Sequence, residues 1–131
     1  MRFAGYAAVF DQPDRGGDVV RRGAFARAVE AGKPVPLLWQ HQPDKPIGRI
    51  EALAEDSRGL RVIGRLSGAG AARKVSAMLK DGQINGLSFG YRVRQATQGT
   101  NRELTELDLI EVSLVSFPMQ PLARVHAVDG E

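Results

Sequence analysis

Cysteine is absent from the chain. That excludes disulfide staples and thiolate chemistry and fits a reducing compartment. Aromatic residues are scarce, at 6%, and the basic residues form no stripe interleaved with them. The net charge of +3 therefore leaves no nucleic-acid footprint, and a nucleic-acid partner is not expected. No apolar run approaches the roughly 18 residues of a membrane span, so no membrane partner is expected. The opening MRFAGYAAVFDQPD has one arginine and an apolar run broken by Gly5. It reads as a first strand rather than as a targeting segment. No zinc-ligand spacing and no G-x-S-x-G elbow is present, and neither a metal nor a cofactor is expected.

What is present is short-range punctuation. The 131 residues suggest one domain, and 43% of them are hydrophobic, enough for a core. Fifteen glycines and seven prolines separate short runs of β character. These runs are 3–10, 18–22, 35–41, 47–56, 60–66, 86–96, 103–117 and 123–128. EDSRG, between the fourth and fifth, is a good hairpin turn. GAFARAVEAG (23–32) places Phe25, Ala28 and Val29 at helical spacing, with Gly32 as a stop. GAARKVSAMLKDG (70–82) gathers Ala71, Ala72, Val75, Met78 and Leu79 on one helical face. The expected fold is mainly β, a barrel of about seven strands flanked by two or more helices.

Side-chain alternation sorts the two long runs near the C-terminus. In GLSFGYRVR, Leu87, Phe89, Tyr91 and Val93 share one face; Ser88, Gly90, Arg92 and Arg94 share the other. In DLIEVSLVSF, Ile110, Val112 and Leu114 form one apolar face; Leu109, Glu111, Ser113 and Val115 form the other. Pairing apolar face to apolar face puts Ser88 and Glu111 on one side and Asp108 on the opposite one.

Three residues stand out. Ser88 lies between Gly86 and Gly90, which permit close backbone approach to a peptide or an oxyanion, or simply relieve crowding in a twisted strand. Glu111 interrupts a run otherwise apolar on both faces. It is either an edge carboxylate reaching water or arginine, or a buried one with a partner. His41 ends VPLLWQH, on the face of Val35, Leu37 and Trp39. It is either a satisfied core histidine or a catalytic group at a strand end.

The order of the blocks GYAAVFDQPDRGGDVVRRGAF, VPLLWQHQPDKPIGRI, RGLRVIGRL, GLSFGYRV and LTELDLIEVSLVSFPMQPLARV resembles the prohead protease family of tailed phages. The resemblance runs from about Gly5 to Val125. These are capsid-maturation serine proteases related in fold to the herpesvirus assembly protease. It implies one catalytic domain over residues 1–131, with Ser88 of the GLS block as nucleophile and His41 after LLWQ as base. In the herpesvirus relatives the third member is a second histidine; here the corresponding region holds Glu111. Asp108 and His126 are the other candidates for that role.

The resemblance also implies a substrate. It is the scaffold, or a scaffold-like segment of the major capsid protein, cut inside the immature shell in the bacterial host, with self-cleavage in many members. Phage-like particles in bacterial genomes, such as gene transfer agents, use similar enzymes. A homodimer is implied, with the helix at 70–82 as one contact face. The loop PMQPLAR, including Arg124, is the candidate for holding the oxyanion. The alternative is a catalytically silent protein with the same barrel that binds scaffold or capsid segments without cutting them.

Overall fold

Glycine and proline breaks divide the chain into eight strands and two helices in the computed structural model, which describes residues 1–129. The strands are β1 (Arg2–Val9), β2 (Asp18–Val20), β3 (Val35–Trp39), β4 (Gln42–Glu55), β5 (Gly59–Leu66), β6 (Gly86–Gln98), β7 (Arg102–Val115) and β8 (Val125–Asp129). Helix α1 (Ala26–Ala31) follows β2, and α2 (Ala71–Lys80) follows β5.

The strands form one mixed sheet in the order β2-β7-β3-β4-β5-β1-β8, with β6 on β7. β7 gives one edge to β6 along its length. It divides the other edge between two parallel partners, β2 near residues 102–104 and β3 near residues 112–114. All other pairings are antiparallel.

The sheet does not close into the expected barrel. Closure would need β6 to pair along its length with β1 or β8. Instead β6 meets the approach to β8 at one isolated bridge, Gly86 with Arg124. Two flanking bonds support it, Leu87 N–H to Ala123 O and Val125 N–H to Asn85 O. Beyond Leu87, β6 pairs with β7 alone.

Phe3, Phe25, Leu37, Leu60, Leu87, Leu104, Leu107, Val112 and Leu114 lie in the buried core. Helix α2 packs on β4 and β5 and buries Ala72, Val75 and Leu79. Burial of Val75 and Leu79 stabilises by ~1.5–3 kcal/mol each. Ala71, expected on that face, is exposed. Helix α1 has only six residues and stops at Gly32, whose φ of 62° is left-handed.

The expected apolar face of β7 fails at Ile110. The β6–β7 register passes from Gly90↔Glu111 to Tyr91↔Leu109, so Ile110 is an extra, unpaired residue, a β-bulge. Alternation reverses across it. Ile110 is exposed, while Leu107 on the far side of the bulge is buried.

Candidate active site

The site begins with a turn that the sequence hides. β3 ends at Trp39, which pairs with Gln42. Gln40 and His41 form a two-residue hairpin connection, with φ of 51° and 60°. Such turns favour Asn-Gly because both central residues take left-handed conformations. Two non-glycine residues there cost about 1–2 kcal/mol each. The end of β7 offsets that cost. Gln40 N–H donates to Leu114 O. The Gln40 side chain exchanges two hydrogen bonds with Ser116, Nε2 to Oγ at 2.7 Å and Ser116 N–H to Oε1 at 3.1 Å. His41 N–H donates to Ser113 Oγ at 3.1 Å. His41 is thus not the last residue of the strand, and the side-chain parity inferred for it does not apply.

The turn brings the His41 ring to β7. Nδ1 lies 2.5 Å from Glu111 Oε1. A carboxylate oxygen only accepts, so the proton of this bond sits on Nδ1 and Nε2 is the basic nitrogen. Glu111 Oε2 accepts from Ser113 Oγ at 2.6 Å. Glu111 is only 7% exposed, and both its oxygens are bonded, which is how a buried carboxylate escapes a large desolvation cost.

Ser88 lies on β6 directly opposite Ser113, and Gly90 lies opposite Glu111. Opposed residues of an antiparallel pair project from one face, with Cβ atoms about 5 Å apart. Ser88, Ser113 and Glu111 therefore share a face, with His41 bonded to two of the three. Ser88 is 6% exposed, and its hydroxyl makes no hydrogen bond among the described residues.

A small cleft beside Ser88 is lined by Ala7, Ala8, Val9, Leu87 and Met119, with Gln120 and Tyr91 among its polar walls. Burial pushes the Tyr91 phenol up, and Asp18 and Asp14 add to the shift. No three His or acidic side chains gather as metal ligands among the described residues.

The other candidates for the third position lie elsewhere. Asp108 is paired with Arg92, so the bulge puts it on the face of Ser88 and not on the opposite one expected from alternation, but Arg94 Nη1 binds it at 3.0 Å. The His126 ring is tilted against Tyr6 on the far side of the sheet order. The two glycines flanking Ser88 serve different neighbours. A Cβ at Gly86 would meet Val115 O and Pro118, and one at Gly90 would meet Glu111. Arg124 braces the loop after β7, with Nε to Pro121 O and Nη1 to Asn85 Oδ1. Ser113 and Gln40 were not singled out from the sequence. Alternation places Ser113 with Glu111, but one serine in an apolar strand carries no further signal.

The family model described as caudovirus prohead serine protease matches residues 1–131. The prohead protease of Enterobacteria phage HK97 is 32% identical over 138 residues, covering 98% of this chain and 61% of that protein. The capsid polyprotein of Pseudomonas phage PAJU2 is 27% identical over 126 residues, covering 88% of this chain and 18% of the polyprotein. The chain thus spans less than two thirds of either relative. In fold, the bacteriophage T4 capsid assembly protease matches with a TM-score of 0.68 at 16% identity, over 87% of this chain and 80% of that one. The protease of Kaposi's sarcoma-associated herpesvirus, in complex with a hexapeptide phosphonate inhibitor, matches with a TM-score of 0.66 at 15% identity, over 95% and 63%.

Proposed function

The chain belongs to the caudovirus prohead serine protease family, and from that premise we propose that residues 1–131 are the catalytic domain of a capsid-maturation serine endopeptidase. The observation that carries the reading is the His41 Nδ1 bond to a buried carboxylate, Glu111, on the face of the sheet that bears Ser88.

In this reading Nε2 of His41 takes the proton of the Ser88 hydroxyl as Oγ attacks the scissile carbonyl. Glu111 keeps the other imidazole proton on Nδ1 and stabilises the imidazolium as it forms. His41 then returns its proton to the leaving amine, and water releases the acyl group from Ser88 by the same exchange. Backbone N–H groups of the loop after β7, near Met119, are the candidates for holding the oxyanion.

The substrate is the scaffold or a scaffold-like segment of the major capsid protein, cut inside the immature shell of a phage or phage-like particle in the bacterial host. Cleavage of the enzyme's own chain belongs to the same reading. Two names support it: the HK97 relative is a prohead protease, and the PAJU2 relative is a capsid polyprotein. A catalytically silent assembly protein is disfavoured by the bonded His41–Glu111 pair, which binding alone would not require.

The test is co-expression with the shell protein of the same particle, followed by mass spectrometry of the products. Ser88→Ala should abolish the cleavages seen with the wild type while changing stability by less than about 1 kcal/mol. Undiminished cleavage by the variant would remove Ser88 from the mechanism.

A further inference from the structure

We propose that Ser113 is a positioning residue of the reaction, a hydroxyl that locks Glu111 and His41 into one unit. The inference rests on the reading of His41, Ser88 and Glu111 given above.

Ser113 has no solvent exposure, and its one hydroxyl serves both members of the pair. Oγ donates to Glu111 Oε2 at 2.6 Å and accepts from the His41 backbone N–H at 3.1 Å. The donated bond fixes the rotation of the carboxylate, because Oε1 is already on Nδ1. The accepted bond fixes the backbone from which the imidazole projects. That backbone is left-handed, with φ of 60°, a conformation uncommon for a residue with a side chain and helped here by the bond to Ser113. The imidazole is thus held at its ring and at its backbone, and Ser113 takes part in both.

The position also matters. Ser113 is the direct cross-strand neighbour of Ser88. A shift of the Ser113 hydroxyl would move base and carboxylate relative to the nucleophile, and misplacement by about 1 Å can cost on the order of 10²-fold in rate. A serine that merely satisfied its own hydrogen bonds would affect stability without acting through Glu111. The two roles give different results in a double-mutant cycle.

The experiment measures kcat and KM on a peptide spanning a cleavage site mapped in the shell protein. It compares wild type, Ser113→Ala, Glu111→Gln and the double variant. Ser113→Ala should lower kcat by about 10- to 100-fold with KM within about threefold. In the Glu111→Gln background the same change should lower kcat by less than about threefold. The Nδ1–H proton resonance of His41 should also shift or broaden in Ser113→Ala, a readout independent of turnover. If Ser113→Ala does not fold, Ser113→Cys keeps the volume with a much weaker donor and carries the same comparison. Equal losses in both backgrounds, or an unchanged His41 resonance, would overturn the proposal. The effect of Ser88→Ala on cleavage tests the underlying reading separately.

Discussion

A methyl group at position 90 would lie 2.6 Å from Glu111 Oε1 and 3.0 Å from its Cγ. The atom in the way belongs to a side chain, but that side chain is pinned at both oxygens. Gly90→Ala must therefore displace the carboxylate or its partners. We predict a loss of about 10- to 100-fold in kcat/KM, with a melting temperature within a few degrees of wild type. A folded Gly90→Ala enzyme at full rate would show that the placement of Glu111 does not matter to turnover. At this scale the sequence was informative where one residue breaks a pattern. Glu111 interrupts an apolar strand, and alternation set it on the face of Ser88. It misled on Ile110, which alternation puts on the apolar face, because a bulge needs both strands in register to be seen. It was silent on Ser113, because the value of a buried hydroxyl lies in what it touches.

The β4–β5 hairpin turns on Asp56. Its Oδ1 accepts from Arg58 N–H and Gly59 N–H, and its Oδ2 accepts from the Tyr6 hydroxyl at 2.5 Å, which ties the turn to β1. The Tyr6 bond, with the backbone bonds, holds the Asp56 carboxyl below its ordinary range. Such a group stabilises the fold above its unfolded pKa of about 3.9, and the contribution is lost as pH falls through the lower folded value. Asp56→Asn should lower the melting temperature at pH 7, and the difference from wild type should vanish in strong acid. An identical gap at pH 7 and pH 2 would contradict this. Both this hairpin and α2 were legible, one from EDSRG and the other from apolar spacing. The Gln40–His41 turn was not. It lacks the residues such turns favour and exists because Ser113 and Leu114 on β7, with Ser116 just after that strand, hold it.

Across the whole molecule the β-rich class was readable and closure was not. Strand count follows local pattern, but closure depends on whether β6 finds a second partner. The surface has the same ambiguity. Helix α2 turns Val75 and Leu79 inward and leaves Arg73, Lys74 and Lys80 exposed, so its outer face is basic. The exposed apolar side chains Phe117, Met119 and Leu122 lie in the loop after β7. If copies of the chain associate to complete the site, specific activity should rise with enzyme concentration. A flat dilution series with a monomer by light scattering would count against association. The measurement that bears most directly on His41, Ser88 and Glu111 as one catalytic unit is covalent labelling with a fluorophosphonate, located by peptide mass spectrometry and timed in wild type, His41→Ala and Glu111→Gln. One adduct is expected, on Ser88, with labelling nearly lost in His41→Ala and slowed by about 10²- to 10³-fold in Glu111→Gln. An adduct on another residue, or labelling of Ser88 at the wild-type rate in folded Glu111→Gln, would contradict it.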